Sequence, residues 1–168
     1  MISLTDIRVE KAGRSILRDV TVDLTEQRIG VIGRNGSGKS TFARLLNGLE
    51  KPTSGTMRAE GVDKPSDLRR HVGFVFQNPD NQIVYPIVTE DLEFGLKNLK
   101  LPKSEIRQRI DGVLDRLAIG HLRDRLTHQL SGGEKQLVAL AGVLVMQPRM
   151  TVFDEPTTLL DLWNKQRL

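Results

Sequence analysis

The chain has 168 residues, enough for one domain with a real core, and hydrophobic and charged residues at 38% and 27% are the balance of a folded rather than a disordered protein. The absence of Cys excludes a disulfide framework and a thiolate metal site, so an intracellular protein is expected. The formal charge of +4 comes with only 4% aromatic residues, which argues against a base-stacking nucleic-acid platform.

Leu4, Ile7 and Val9, then Val20, Val22 and Leu24, mark two short strands. Gly13 lies between them, so an antiparallel start is predicted. Nothing in Met1 to Glu10 has the basic-then-apolar form of a signal peptide. Arg28–Ile32 is mostly apolar and β-branched and is predicted to be a buried strand. Gly33-Arg34-Asn35-Gly36-Ser37-Gly38-Lys39-Ser40 then fits G-x-x-x-x-G-K-[ST], the phosphate-binding loop. Thr41 to Asn47 continues at helical spacing, with Phe42, Leu45 and Leu46 on one face and Gly48 to end it. Strand, glycine loop and helix are the context the motif needs. Its amides would face an anion, Lys39 the β- and γ-phosphates, and the Ser40 hydroxyl Mg²⁺.

Lys51–Gly55 reads as a turn and Val72–Phe76 as another apolar strand, followed at once by Gln77. Asn78–Gln82 is polar loop. From Val88 to Asp124 the pattern is helical: Ser104 is predicted as an N-cap, and Ile106, Ile110, Val113, Leu114 and Leu117 line one face. The basic residues that cluster in Leu68-Arg69-Arg70-His71 and at Arg107, Arg109, Arg116, Arg123 and Arg125 are read as solvated faces rather than as a nucleic-acid or membrane patch. The longest apolar run, Leu137 to Met146, is too short for a bilayer, which needs about 20 residues.

Ser131-Gly132-Gly133 opens a helix to about Met146, stopped by Pro148. A hydroxyl, bare amides and a helix N-terminus make a second anion site. The alternative is an N-capped helix with a flexible entry. Met150–Phe153 is a strand ending in Asp154-Glu155, the Walker B pattern: Asp154 to hold Mg²⁺, Glu155 to orient and deprotonate water.

The phosphate loop, Gln77, Leu130–Glu134 and Val152-Phe153-Asp154-Glu155-Pro156-Thr157 together resemble the nucleotide-binding subunits of ABC transporters, in the family's order and spacing through nearly the whole chain. The resemblance implies an α/β fold, a P-loop NTPase (RecA-like) core with an N-terminal antiparallel β subdomain and an inserted α-helical subdomain. Core and β subdomain would take residues 1–82 and 147–168, and the helical part 83–146. It implies ATP and Mg²⁺ as cofactors and these site residues. Gly33, Arg34, Asn35, Gly36, Ser37, Gly38, Lys39, Ser40 and Thr41 would hold the nucleotide, with Ser131, Gly132, Gly133 and Asp161 closing from a second subunit. Ser40, Gln77 and Asp154 would hold the metal, and Glu155, Gln77 and Lys39 would serve the reaction.

Phe76–Gln82 with Thr89-Glu90-Asp91 and Phe94-Gly95-Leu96 resembles the ATPases of energy-coupling-factor importers of vitamins and metal ions. Asp154–Asp161 is most similar to the biotin-transporter members. This implies a homodimer or heterodimer of ATPase subunits, a transmembrane coupling subunit, a substrate-binding membrane subunit, no nucleic acid, and a peripheral place on the cytoplasmic face of the membrane. Gln77 and the loop after it would touch the membrane partner. Asp80, Glu90 and Asp91 would pair with arginines there or simply be polar residues of a loop and helix start.

The chain departs from the family in three places. No aromatic residue precedes Phe42 to stack on adenine, and Arg14 is expected to cover the ring instead. Leu159-Leu160 stands where a smaller residue is usual. The chain stops at Leu168, whereas the family continues with further core strands and a histidine on the γ-phosphate; His71, His121 and His128 all precede Asp154. Weak or absent hydrolysis and poor solubility are expected of this span alone. The alternative reading, a soluble ABC-type ATPase acting on DNA or the ribosome, would need a long or Cys-bearing insertion or a second such domain. A third is a nucleotide-binding fragment without turnover.

Overall fold

The structure is a computed structural model that describes residues 1–62 and 67–155. The chain divides after Val72 into two compact units. Each is described by itself.

In the first unit, β1 (Ile2–Lys11), β2 (Arg14–Leu24) and β3 (Ser54–Ala59) form an antiparallel sheet in the order β2-β1-β3. The predicted hairpin is present, and its two-residue turn has positive φ at both Ala12 (49°) and Gly13 (73°), the primed geometry that matches strand twist. Ile2, Leu4, Ile7 and Val9 are all buried although the spacing from Leu4 to Ile7 is odd. A bulge resolves this. Leu4 faces Val22 and Ile7 faces Val20, so β1 carries one extra residue there, with Asp6 at φ 50°. A second bulge on β2, at Asp19, restores the register by Val9–Leu17. Gly55 meets the first bulge from β3, where a Cβ would lie 2.4 Å from Asp6 O.

α1 (Lys39–Leu46) buries Leu45 and Leu46, and Gly48 at φ 75° ends it as predicted. The Asn47 side chain, itself buried, donates to Val72 O. α2 is the short Leu68–His71.

Two expectations fail in this unit. Arg28–Ile32 is not a strand: no described strand pairs with it, and Ile32 is 95% exposed. A strand of this mostly apolar kind is stable only with neighbours on both edges and both faces. The described residues supply none. Conversely β3 was not predicted. Its sequence SGTMRA is largely polar because it is a mostly exposed strand, held by main-chain pairing to β1 rather than by a buried face.

In the second unit, β4 (Val72–Val75) pairs with β5 (Met150–Phe153), and α3 (Val88–Asn98), α4 (Lys103–Arg116) and α5 (Gly132–Leu144) pack around a shared core. The predicted face of α4 is correct throughout: Ile106, Ile110, Val113, Leu114 and Leu117 are all buried. Almost all of α5 from Gln136 to Val143 is buried, so it is the central helix. Gly73 lets β4 approach it, since a Cβ there would come within 2.4 Å of Val143 Cγ1. Ser104 is not the N-cap of α4. The helix starts directly after Pro102, whose extended φ −60°, ψ 147° sets the entry and whose carbonyl accepts from Ile106 N at 3.0 Å. Two of the basic residues are internally paired: Arg109 donates twice to Glu105 Oε1, and Arg123 pairs with Asp111. No helix among the described residues is long and apolar enough to cross a membrane.

Candidate functional site

The phosphate loop lies exposed between residue 33 and the start of α1. Gly36 (φ 79°) and Gly38 (φ 91°) take left-handed conformations that side chains resist. Gly38 also presses on β2, where a Cβ would meet Ile16 O and Leu17 Cδ2 at 3.1 Å. The turn is closed by Ser37 N donating to Arg34 O at 3.1 Å, and α1 begins with Phe42 N on Gly38 O at 2.8 Å. No side-chain hydrogen bond caps α1 at Gly38. A helix whose N-terminus receives an anion needs that opening. Lys39 folds back over the loop, its Nζ donating to Gly33 O (2.9 Å) and Arg34 O (3.0 Å). Its ammonium is therefore held against the carbonyl oxygens at the start of the loop. Gly33, Arg34, Asn35, Gly36 and Ser37 are exposed; Gly38, Lys39, Ser40 and Thr41 are half-buried in the first turn of α1. Arg14 is exposed at the start of β2.

In the second unit, Gln77 follows β4 and Asp154-Glu155 follows β5. Pairing of those strands brings the three residues together. Asp154 N donates to Val75 O at 3.0 Å, and Gln77 Nε2 donates to Glu155 Oε2 at 2.8 Å. Asp154 is only 7% exposed, whereas Glu155 is exposed and sits at φ 51°. A left-handed φ costs a non-glycine residue some backbone strain, and Glu155 shares it with bulge and turn residues such as Asp6, Ala12 and Gln147.

Ser131 is the N-cap of α5, and Ser131 and Gly132 are exposed with Gly133 half-buried. The tip faces away from the core. It is closed by a capping box: Ser131 Oγ accepts from Glu134 N at 3.3 Å, and Glu134 Oε2 accepts from Ser131 N (2.7 Å) and Ser131 Oγ (2.8 Å). These bonds, the amide's first, hold the Glu134 carboxyl below its ordinary range. Thus the helix cap and the exposed Gly132 coexist at one place.

Asp161 lies outside the described residues, as do Pro156–Leu160. Of the acidic residues expected to meet arginines, two have local partners instead. Asp80 pairs with Lys135 at 2.7 Å, and Asp91 Oδ1 accepts from Val84 N and Tyr85 N at 2.8 and 3.0 Å. Sequence reasoning missed Lys135, Gln82 and Gln136, which fasten the loop after Gln77 to α5. Nothing in the sequence signalled them, since Gln82 ends the polar stretch from Asn78 and Gln136 follows Glu134-Lys135.

The family model described as ABC transporter matches residues 17–158. A putative ABC transporter ATP-binding protein of Deinococcus radiodurans is 56% identical over all of this chain and 76% of its own length. The biotin transport ATP-binding protein BioM of Rhizobium etli is 49% identical over 95% of this chain and 75% of its own. The solved structure of cbiO1 from Clostridium perfringens, part of the ABC transporter complex cbiONQ, superposes with a TM-score of 0.85 at 38% identity, covering 98% of this chain and 69% of that one. These likenesses extend over the phosphate loop, Gln77, the Ser131 tip and Asp154-Glu155 described above, and this chain belongs to the ABC transporter family as an ATP-binding ATPase subunit.

Proposed function

We propose that this chain binds ATP with Mg²⁺ and hydrolyses it to power an energy-coupling-factor type importer of a small nutrient, a vitamin such as biotin or a transition-metal ion. The observation that supports the reading is the Gln77–Glu155 hydrogen bond beside the buried Asp154, because it aims one carboxylate beside a second, buried one. The biotin and cbiO relatives support the cargo class.

Residues 33–41 cradle the triphosphate, with Lys39 countering its charge. The donors for magnesium, the Ser40 hydroxyl and the Asp154 carboxylate, are hard oxygens of the kind that ion accepts alongside phosphate and water. Bound there, it would neutralise charge building on the β- and γ-phosphate oxygens. Glu155 takes the proton of the attacking water, and Gln77 keeps its carboxylate pointed. The exposed Ser131–Gly133 tip supplies the closing surface for the nucleotide of a second subunit, with Asp161 as the link between the paired sites. The helical division at 83–146 carries that tip.

A membrane partner fits the apolar residues left outside in the second unit. Val84 is 72% exposed, and Tyr85 and Phe94 lie ring to ring at 5.3 Å with 37% and 43% exposed. A patch of this kind marks an interaction site. The chain works as a peripheral subunit at the cytoplasmic face, as a homodimer or heterodimer. Uptake of labelled biotin and of cobalt by cells with and without this gene tests the reading. Loss of ATP-dependent uptake on deletion, restored by the gene but not by its Lys39→Ala form, is expected. Uptake indifferent to Lys39 would overturn it.

A further inference from the structure

Residues four apart on a helix stack into ridges, and α4 carries two adjacent ones beside its buried face, Gln108-Gly112-Arg116 and Glu105-Arg109-Val113. With Leu144, Val145 and Gln147 at the end of α5 they line an open cleft of about 580 Å³. That is the size of a small-molecule site, and every residue lining it belongs to the second unit.

The two ends of the cleft differ in charge. At one, Arg109 is half-buried and held by Glu105, whose Oε1 accepts from Arg109 Nε at 3.1 Å and from Arg109 Nη2 at 2.6 Å. That pair is neutral. At the other end, seven positions and roughly 10 Å further along the helix axis, Arg116 is exposed. Its side chain has no hydrogen bond or ion pair among the described residues. A guanidinium in that state offers a fork of donors that fits a carboxylate. Between the ends the wall is apolar: Val113 and Val145 are buried and Leu144 is half-buried.

Gly112 lies between the two arginines. It is inside α4, its φ is not left-handed, and a Cβ built on it would meet nothing within 4 Å. No neighbour therefore demands a bare Cα there, as Val143 does at Gly73. A glycine inside a helix is less stable than alanine, so its presence is not explained by the fold. What the missing side chain leaves is room in the cleft.

We propose that this cleft is a second ligand site, for a small organic acid that sets its carboxylate on Arg116 and lays an apolar chain over Gly112 against Val113 and Leu144. The residues named for ATP are not among those lining it, so the inference does not rest on the proposed function.

The test is equilibrium dialysis of labelled hexanoate against the protein purified in its native assembly, with hexylamine as the charge-reversed probe. Arg116→Gln, Gly112→Gln, Gly112→Ala and Lys39→Ala are compared with the wild type, and each is melted thermally. The expected result is saturable binding of hexanoate with a Kd on the order of 1 mM, the scale for so small a ligand, and none of hexylamine. Arg116→Gln should weaken binding at least about 10-fold, the worth of a hydrogen bond to a charged group. Gly112→Gln, which fills the floor, should weaken it as much, and Lys39→Ala should leave it unchanged. Gly112→Ala should raise the melting temperature by about 2–4 °C, which a glycine required by packing would not. A fall there overturns the reading of Gly112. The site itself is overturned if hexanoate does not bind, if hexylamine binds equally, or if binding survives Arg116→Gln or Gly112→Gln. A lower melting temperature in Arg116→Gln with binding intact would mean that the arginine only answers the carbonyl end of its own helix. Binding lost in Lys39→Ala instead would put the anion at the phosphate loop and overturn the proposal as well.

Discussion

Gln77 Nε2 holds Glu155 Oε2 at 2.8 Å, across the ends of two paired strands. The residues are far apart in sequence, and only the β4–β5 pairing makes them neighbours. Glu155, held at φ 51°, has its direction set from both sides: by its own backbone and by the amide that grips it. Removing the grip leaves the carboxylate present but without the Gln77 hydrogen bond that helps to direct it. Gln77→Ala is therefore expected to lower the rate of hydrolysis by about 10- to 100-fold, in the range of misplaced catalytic groups, with little change in ATP affinity. Steady-state hydrolysis and equilibrium binding of a fluorescent ATP analogue, measured on the same preparation, check the split. A change in affinity alone would mean that Gln77 binds rather than positions.

Gly38 carries two constraints at once. Its φ of 91° is left-handed, and a Cβ would sit 3.1 Å from both Ile16 O and Leu17 Cδ2. Gly38→Ala is expected to destabilise the protein by about 1–2 kcal/mol from the backbone conformation alone. It should also weaken ATP binding, because the loop can relax only by moving its amides. Urea unfolding read beside nucleotide binding tests this, and an alanine variant with wild-type values for both would show the loop to be more plastic than its geometry implies.

The capping box at the tip of α5 should be visible in pH. The Glu134 carboxyl is held below its ordinary range by the Ser131 amide and then the Ser131 hydroxyl. A group lowered in the folded state stabilises fully above its unfolded pKa, about 4.3 for Glu. That contribution is lost as pH falls from there through the lower folded value. The stability difference between wild type and Glu134→Gln should thus be flat above about pH 5 and shrink in more acidic solution. A difference that grows on acidification would contradict the assignment. Ser131→Ala removes the cap itself and is expected to cost about 1 kcal/mol at neutral pH.

Much of this was legible beforehand, for reasons that can be named. Lys39, Ser131 and Asp154 sit in motifs read from the sequence, and the structure puts them at a helix start, a helix N-cap and a strand end as those motifs require. The face of α4 from Ile106 to Leu117 announces itself by helical period. β3 was silent because an exposed strand needs no apolar alternation; Met57 and Ala59 are only half-buried. Arg28–Ile32 misled because an apolar run reports a capacity to be buried, and the described residues offer it no partner strand. Ser104 misled because capping chemistry was read without noticing that Pro102 already starts the helix. The bonds of Gln82 to Ala139 O and of Gln136 to Phe76 O were invisible because each joins a residue near Gln77 to a helix more than fifty positions on. Gly73 illustrates the same limit: its need for a bare Cα comes from Val143 and Pro148, and Gly73→Ala is expected to cost about 1–3 kcal/mol by overpacking in a thermal melt.

The central claim is that Glu155 activates water for a triphosphate bound by this chain, and Glu155→Gln tests it most directly. In the native assembly this variant should bind ATP as tightly as the wild type while its turnover falls by at least about 10²-fold, the scale of a lost general base. ATP that stays bound and unhydrolysed is the predicted result. Hydrolysis at the wild-type rate would take the assigned role away from Glu155, and with it the chemistry built on Gln77 and Asp154.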